Sequence, residues 1–464
     1  MSQNKETEIQ LQYIEKCKEL LAKSSTKRPT FHIQNEGCQM NSIQTESIAA
    51  IMEKMGYEMV DTEDADAVVF NTCTVRENAN QKIYGHLGHL KSIKREHPDM
   101  KIVLFGCMMQ EHHVVEKIRK DYKYVNLVFG THNIHKFPEL FYRTLQTDDQ
   151  IIDIWKESDE IVEGMPTSRK YSFKTGVSVM FGCNNFCSYC IVPYVRGREK
   201  SREPQAIIRE IEELVADGVT EIMLLGQNVN SYGKTLETPV TFAELLKEVE
   251  KIEGLKRIRF MTSHPKDLSD ELIQTMAESQ KICHHLHLPL QSGSSRVLKE
   301  MNRRYDKEKY LELVDKIRKA IPDISLTTDI MVGFPGETEE EFEESRSFVD
   351  SIHFYETHIF PYSKREGTKA AVMPDQLPEQ IKKERSRVLI ALGQEHQREY
   401  MEQFLGKKKE VLFEEQQKIQ GQTYWTGHTM EYLKVAVISE ESLENKRVMV
   451  QLQNIIGQDL ILAE

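Results

Sequence analysis

The placement of its cysteines constrains this chain more than any other feature of the sequence. Three of them stand in the loop Cys183-Asn-Asn-Phe-Cys187-Ser-Tyr-Cys190, which directly follows the apolar run 177–182. Three thiolates in one short loop suit three irons of a four-iron, four-sulfur cluster, whereas closed clusters take four cysteines. The fourth iron would stay open to another ligand, as in a catalytic metal site. We name these cysteines the loop triad.

Zinc is the competing interpretation of the loop triad. Zinc modules usually present paired C-x2-C hooks, and the loop contains a single pair of this kind, Cys187 and Cys190. The spacing of the three thiolates after a predicted strand therefore favours iron and sulfide over zinc.

Three further cysteines, Cys38, Cys73 and Cys107, each follow a predicted strand. Isolated cysteines at such positions are more often small buried residues than ligands. Their shared placement favours ligation, because the carboxyl ends of parallel strands meet at one edge of a sheet, where ligands bind. We name them the auxiliary triad. Cys17 and Cys283 match neither pattern and are predicted to be structural.

Length and composition indicate a soluble protein of several domains. A chain of 464 residues exceeds what one core usually organises and predicts about two to four domains. No apolar run approaches the roughly 20 residues of a membrane span, and the charged first thirty residues do not resemble a signal peptide. We therefore expect a cytoplasmic, reducing location, where eight cysteines favour metal or redox chemistry over disulfides.

Residues 30–150 alternate short apolar strands with helices. The predicted strands are 30–33, 67–70, 101–105 and 126–129. Runs of this kind suit a parallel sheet that is covered on both faces. We predict an open parallel α/β domain here, preceded by a helical extension in residues 1–29.

A second α/β region follows, and we assign residues 170–400 to it. Its predicted strands are 177–182, 221–225, 257–262, 285–290, 325–333 and 353–360. Helices separate the strands, and one of them starts at Pro204, in the favoured first turn. Six strand–helix units predict a partial (β/α)6 barrel, whose chemistry would lie at the carboxyl ends of the strands.

Residues 401–464 carry short β-like runs between turns, which predicts a small antiparallel β-barrel, a frequent binder of RNA. This segment has seven Lys and Arg against ten Asp and Glu, and the whole chain has a net charge of −12. Since phosphate binding needs local cations, an RNA contact here would depend on stacking by aromatic rings such as Trp425. A core position for Trp425 is the open alternative.

The loop triad, with Tyr189 before its last cysteine, resembles the radical S-adenosylmethionine (SAM) superfamily. Motifs spread over nearly all of the chain after residue 30 resemble the methylthiotransferases of that superfamily. They lie at 37–41, 71–77, 82–85, 106–110, 226–233, 288–293, 329–337 and 426–429. By the same resemblance, the C-terminal barrel is similar to a TRAM domain.

Short matches at 39–41 and 75–77 are similar to the branch that modifies isopentenyladenosine (dimethylallyladenosine) in tRNA. The sister branches act on threonylcarbamoyladenosine in tRNA or on an aspartate of a ribosomal protein. One departure stands out: Gln44 occupies a position where the isopentenyladenosine branch usually has Asp. This departure removes a carboxylate at residue 44 but changes no cluster ligand.

The resemblance implies two 4Fe-4S clusters, one on each triad. The cluster on the loop triad would reduce SAM by one electron, and the deoxyadenosyl radical released would take hydrogen from carbon-2 of the adenine. The auxiliary cluster would carry the sulfur, methylated by another SAM. Because cofactors supply such chemistry, we predict no catalytic side chain. The implied partners are the tRNA anticodon stem-loop and an unidentified electron donor, and we expect a monomer.

Placement at strand ends and the resemblance together predict the residues that contact the cofactor and the substrate. The predicted SAM contacts are Tyr189, Gln227, Asn228, Gln291, Ser292, Gly333 and Glu337, although residues 333–337 equally suit an ordinary turn. Arg196 and Arg198 are predicted to contact phosphate, with ion pairs to neighbouring glutamates as the open alternative. His284, His285 and His287 are predicted to pack or to bind substrate rather than metal.

A function of another class would be a non-catalytic iron–sulfur protein that binds RNA and senses redox state. A sensor needs one labile cluster, whereas this chain carries two open triads and a partial barrel. The sequence therefore favours the enzyme.

Overall fold

Alternating apolar runs and amphipathic helices build two units, one around each α/β region. The computed structural model describes residues 2–24, 27–75, 77–158 and 160–464. The first unit comprises Met1–Asn184 and Ile191–Ala206, and the second comprises Asn185–Cys190 and Ile207–Glu464. The predicted motif 75–77 includes Arg76, which lies outside the described residues.

A six-stranded parallel sheet forms the centre of the first unit, in the order β2-β1-β3-β4-β5-β6. Its strands are β1 (Thr30–Asn35), β2 (Glu58–Met59), β3 (Ala67–Thr72), β4 (Lys101–Gly106), β5 (Leu127–Phe129) and β6 (Ile151–Asp153). The helices are α1 (Ser2–Ser24), α2 (Gln39–Lys54), α3 (Glu77–Glu96), α4 (His112–Asp121) and α5 (Phe137–Thr144).

Both faces of this sheet are buried. Successive side chains of a strand point to opposite faces, so Val69 and Phe105 enter one apolar core while Val68 and Leu104 enter another. The predicted open parallel α/β sheet is therefore confirmed. The strands β2 and β6 are additions that the sequence did not indicate, and both lie at the edges of the sheet.

The remainder of the first unit leads into and out of the cysteine loop. It contains β7 (Lys174–Ser178), β8 (Met180–Phe181), α6 (Val192–Arg196) and β9 (Lys200–Ser201). The strands β8 and β9 pair antiparallel. Helix α7 (Pro204–Ala216) begins at the proline that the sequence predicts as its start.

Parallel strands and crossover helices continue in the second unit. Its strands are β10 (Glu221–Leu225), β11 (Arg257–Phe260), β12 (His285–His287), β13 (Ser325–Val332) and β14 (Glu356–Pro361). The helices are α8 (Phe242–Glu250), α9 (Asp270–Glu278), α10 (Ser295–Glu300), α11 (Lys307–Ala320), α12 (Glu339–Ile352) and α13 (Glu379–Glu402). Strand β10 pairs with β11, and β12 with β13 and β14, all in parallel. This is the parallel α/β architecture of the predicted partial barrel.

The last sixty residues form a closed five-stranded barrel in the order β15-β16-β17-β19-β18. Its strands are β15 (Lys408–Ile419), β16 (Gln422–His428), β17 (Lys434–Val437), β18 (Arg447–Ile456) and β19 (Leu460–Ala463). All pairs are antiparallel except β17 with β19, which is parallel. The barrel is therefore mainly antiparallel rather than wholly so.

Buried arginines of β11 attach this barrel to the α/β part of the second unit. Arg257 donates to the backbone oxygen of His428 at 2.7 Å, and Arg259 donates to that of Thr429 at 3.0 Å. Arg259 also lies over the ring of Tyr432. Such contacts account for the basic run 256–259, whose arginines face a protein neighbour instead of solvent.

Among the described residues, no helix combines the length and the apolar character that crossing a membrane requires.

Candidate cluster sites

The auxiliary triad lies where three neighbouring strands of the first unit end. The strands β1, β3 and β4 are adjacent in the sheet, and Cys38, Cys73 and Cys107 follow them. Cys38 precedes α2 as its N-cap residue, and Cys107 opens a 3-10 turn. Burial raises the pKa of the Cys107 thiol to about 11, and the nearby thiols of Cys73 and Cys38 contribute to that increase. The Cys107 sulfur therefore lies within electrostatic reach of both other sulfurs.

Two buried asparagines fix the backbone that carries the auxiliary triad. The amide of Asn41 donates to Asn71 Oδ1 at 2.8 Å and to the backbone oxygen of Thr72 at 3.1 Å. Asn71 donates in return to the backbone oxygen of Asn41 at 2.8 Å. The thiol of Cys38 lies 3.4 Å from Asn41 Oδ1. This network joins the start of α2 to the end of β3, which are the two segments next to Cys38 and Cys73.

Gly106 permits the tight turn into Cys107. Its φ of +106° lies in the left-handed region, and a Cβ there would stand 2.5 Å from the backbone oxygen of Thr72. Side chains other than hydrogen are strained in this conformation. The position of the Cys107 thiol therefore depends on a glycine before it.

Arg196 is the charged group that faces the auxiliary triad. Its guanidinium donates to Asn41 Oδ1 at 2.7 Å, the same oxygen that the Cys38 thiol approaches at 3.4 Å, and lies within electrostatic reach of the Cys107 sulfur. The residue is only 9% exposed. This placement contradicts the predicted phosphate contact for Arg196, because the guanidinium is enclosed by protein groups and directed at the cysteines. A buried cation beside three thiols suits an anionic metal cluster, so the auxiliary triad fits a 4Fe-4S group.

The loop triad is held by short backbone turns. The backbone amide of Cys183, in the first unit, donates to Gly197 O at 3.1 Å. Cys187 and Cys190 belong to the second unit, where the Cys190 amide donates to Cys187 O at 2.9 Å. In the same unit, the backbone amide of Ser188 donates a hydrogen bond to Met301 O at 2.9 Å. The loop is therefore anchored on both sides of its cysteines.

Arg303 contacts Cys187 of the loop triad, and it is not among the site residues that the sequence predicts. Its Nη1 lies 3.5 Å from Cys187 Sγ, and its Nη2 donates to the backbone oxygen of Pro289 at 2.8 Å. Tyr305 accepts from its Nε at 2.8 Å. No local pattern marks a buried arginine, because its burial depends on contacts that are distant in sequence. Within the second unit, a cation beside the Cys187 thiol, with Cys190 in the same loop, suits ligands of a second 4Fe-4S group.

Unpartnered polar atoms lie at the carboxyl ends of strands in the second unit. Gln227 follows β10 and Gln291 follows β12, and each has a buried amide oxygen that no protein donor reaches among the described residues. The hydroxyl of Ser263, after β11, is in the same situation. Buried polar groups normally have hydrogen-bond partners. These atoms therefore fit a polar ligand such as SAM, and Ser263 joins Gln227 and Gln291 as a candidate contact at a strand end.

Three other residues predicted to contact SAM form hydrogen bonds with protein groups instead. Asn228 donates to Asp267 Oδ2 at 2.8 Å, and Ser292 contacts the Ser345 hydroxyl at 3.2 Å. Glu337 accepts from Arg385 Nη1 at 2.6 Å and from the Gly333 amide at 2.7 Å. The side chains of Asn228, Ser292 and Glu337 are thus engaged in shaping loops, and their SAM contact stays a prediction.

Three remaining predicted residues differ in exposure. Tyr189 is half-buried and packs on an apolar cluster that includes Phe334 and Tyr362. Arg198 is exposed, and its phosphate contact stays a prediction. Trp425 is 8% exposed and belongs to the barrel core. Its predicted stacking on RNA is therefore corrected to the core alternative, because strand alternation turns Trp425 inward.

The histidines at β12 contact neighbouring side chains. His287 Nδ1 lies 2.9 Å from the Thr327 hydroxyl, and His284 Nδ1 lies 2.8 Å from Asp323 Oδ1. His285 packs against the Tyr432 ring. These contacts agree with the predicted packing roles.

Comparison with known proteins assigns both α/β regions. Residues 177–349 match the Radical SAM superfamily, and residues 30–130 match a family described as "Uncharacterized protein family UPF0004". The first match covers the loop triad and the second covers the auxiliary triad.

Curated relatives match most of the chain. A protein of Lachnoclostridium phytofermentans named tRNA-2-methylthio-N(6)-dimethylallyladenosine synthase is 54% identical over 92% of this chain and 94% of its own length. A protein of the same name from Thermoanaerobacter sp. is 48% identical over 96% of this chain and 95% of its own length.

Solved structures support the fold. The radical S-adenosylmethionine methyltransferase TsrM from Kitasatospora setae, solved with cobalamin and a [4Fe-4S] cluster, has a TM-score of 0.54 and 13% identity over 75% of this chain and 74% of its own. At that identity the similarity concerns the fold alone. The extent and identity of the sequence matches show that the chain belongs to the tRNA-2-methylthio-N(6)-dimethylallyladenosine synthase family of the radical SAM superfamily.

Proposed function

We propose that the chain is a tRNA methylthiotransferase that adds a methylthio group to carbon-2 of N6-dimethylallyladenosine next to the anticodon. The observation that carries this proposal is the presence of two cysteine triads in one chain, each beside a buried arginine. One triad suffices for the radical chemistry of the superfamily. The second supplies a site for the sulfur that this reaction requires.

The cofactors of the proposed reaction are SAM and two 4Fe-4S clusters, which supply one-electron chemistry, sulfur and methyl groups when bound. The loop triad and the auxiliary triad would hold the clusters. Gln227, Ser263 and Gln291 would offer their unpartnered polar atoms to SAM, and Tyr189 would lie against it. Protein residues thus bind and orient the reactants and exclude water from them.

For tRNA binding, Arg198 is the proposed phosphate contact near the loop triad. Tyr424 replaces Trp425 as the proposed stacking residue, because it is half-exposed while its neighbour is buried. Unstacked loop bases are the parts of RNA that proteins read most readily, and an adenosine beside the anticodon is such a base. We further propose that the enzyme acts as a cytoplasmic monomer with a separate electron donor.

An anaerobic assay tests the proposed function. The reconstituted chain is incubated with SAM, dithionite and anticodon stem-loop RNA, with or without the dimethylallyl group on the adenosine, and products are identified by mass spectrometry. We expect methylthio formation on the dimethylallyl RNA alone. Equal activity on both RNAs, or activity on a ribosomal protein instead, would overturn the substrate assignment.

Variants of single cysteines separate the enzyme from a redox sensor. Cys183→Ala should abolish the formation of deoxyadenosine, and Cys107→Ala should abolish methylthio formation. The matched control is Cys283→Ala, which removes a buried thiol outside both triads and should retain both activities. A parent chain that forms no deoxyadenosine at all would favour the sensor.

A further inference from the structure

Arg196 lies in the first unit with nearly all of its side chain withdrawn from solvent. It ends the short helix α6, directly after Val195, which packs with Cys107 and Ile191 in one apolar cluster. This packing places the guanidinium beside the auxiliary triad, where Asn41 Oδ1 lies 2.7 Å from Arg196 Nη2 and 3.4 Å from the Cys38 thiol. The position is therefore determined by apolar contacts on one side and by hydrogen bonds on the other.

The guanidinium keeps its charge in this environment. An arginine guanidinium stays protonated in folded proteins, because its pKa lies far above neutral pH. A buried charge is stable only if it is paired and hydrogen-bonded. The cysteine sulfurs are the anionic partners available for this pairing.

The remaining contacts of Arg196 are neutral. Its Nη2 donates to Asn41 Oδ1 at 2.7 Å and lies 3.5 Å from Gln44 Oε1. Within the described parts of the chain, no Asp or Glu forms an ion pair with it. The positive charge is therefore not cancelled by a carboxylate and acts on the auxiliary triad.

We propose that Arg196 is a positioning residue that raises the reduction potential of the iron–sulfur centre on the auxiliary triad. A cation and an N–H donor beside a cluster sulfur stabilise the reduced form, which carries one more negative charge. The neutral Gln44 preserves this effect, whereas a carboxylate in its place would offset it. The inference rests on the proposed function only in taking the auxiliary triad as cluster ligands.

Arg303 provides an internal comparison. It belongs to the second unit and lies 3.5 Å from Cys187 Sγ, so its charge acts on the loop triad. Its other N–H groups are taken by the backbone oxygen of Pro289 and by the Tyr305 hydroxyl. A substitution at Arg303 is therefore the matched control for a substitution at Arg196.

A redox titration followed by electron paramagnetic resonance tests the proposal. The full chain carries Cys183→Ala, Cys187→Ala and Cys190→Ala, so that the auxiliary centre alone contributes to the signal. We expect Arg196→Met to shift the reduction equilibrium against the reduced form by tenfold or more, which is 59 mV for one electron. Gln44→Glu should shift it in the same direction by a smaller factor, and Arg303→Met should leave it unchanged.

Gln44→Glu keeps the test decisive if Arg196→Met fails to assemble its cluster, because Gln44 is half-buried, is not a triad cysteine and lies 3.5 Å from Arg196 Nη2. A Gln44→Glu potential equal to that of the parent would overturn the inference while leaving the proposed function intact. A parent chain without iron at the auxiliary triad would instead overturn the proposed function.

Discussion

Arginines carry much of the chemistry of this chain, and their roles depend on which acid or sulfur each one meets. Arg196 and Arg303 face cysteines, while Arg385 forms a buried pair with Glu337. All three occur in sequence runs that would ordinarily suit a solvated surface. Burial of a charge is decided by partners that are distant along the chain, so no local pattern could have indicated these roles.

The pair of Glu337 and Arg385 provides a test at one side chain. Arg385→Met leaves the Glu337 carboxylate buried without its partner, and such a loss costs about 3–5 kcal/mol. We expect a reduction of that order in the free energy of unfolding, measured by chemical denaturation. Adding Glu337→Gln to Arg385→Met should recover part of the loss, because the buried charge is then removed.

The contrary outcome for this pair is also defined. If Glu337 serves SAM instead, Glu337→Gln would weaken SAM binding and leave the stability of the chain unchanged. That result would return Glu337 to the cofactor contacts that the sequence predicts.

Strands and helices were the more predictable part of the chain. The apolar runs that open β1, β3, β4 and β13 each correspond to an observed strand within a few residues. Their buried faces impose a pattern that a sequence can display. The cysteines follow these strands, so the convergence of the auxiliary triad was predictable as well.

Edge strands and the strand β16 were not predictable from the same pattern. Strand β2 has two residues, both exposed, and β6 has three that are half-buried, so neither displays a continuous apolar run. Strand β16 contains Thr423, Tyr424 and Thr426 with one glycine, a mixture that also suits a loop. Pairing with β15 and β17, rather than composition, makes it a strand.

The attachment of the C-terminal barrel predicts a dependence on pH. His284 is hydrogen-bonded to Asp323, which also lies 3.6 Å from Lys409 of β15. The hydrogen bond to Asp323 is the main cause that raises the pKa of His284, and the same bond lowers the pKa of Asp323. Because the pKa of His284 is raised in the folded state, its contribution to stability is complete below about pH 6.5. That contribution is lost as the pH rises through the folded-state pKa.

Because the pKa of Asp323 is lowered in the folded state, its contribution to stability is present above about pH 3.9 and is lost at lower pH. The attachment should therefore be strongest between these limits and should weaken by less than about 1 kcal/mol toward pH 8.5, because the pair is partly exposed. Trp155→Phe leaves Trp425 as the sole tryptophan, so its fluorescence reports on the barrel during denaturation. His284→Gln should remove this part of the pH dependence, and an unchanged dependence would contradict the assignment.

For the chain as a whole, we expect that two separate sets of three cysteines each hold a four-iron cluster. The sets are independent in sequence and in their arginine neighbours, so each should assemble without the other. Motif resemblance predicted the family, and the extent of the sequence matches confirmed it. Cluster occupancy has to be measured on the reconstituted protein.

Iron and sulfide content after anaerobic reconstitution measures how many clusters each chain holds. Two four-iron, four-sulfur clusters predict about eight irons and eight sulfides per chain. Replacing all three cysteines of either triad by alanine should leave about four of each, whereas replacing Cys17 and Cys283 should leave the content unchanged. A parent chain with about four irons, or the loss of all iron when one triad is replaced, would contradict the account.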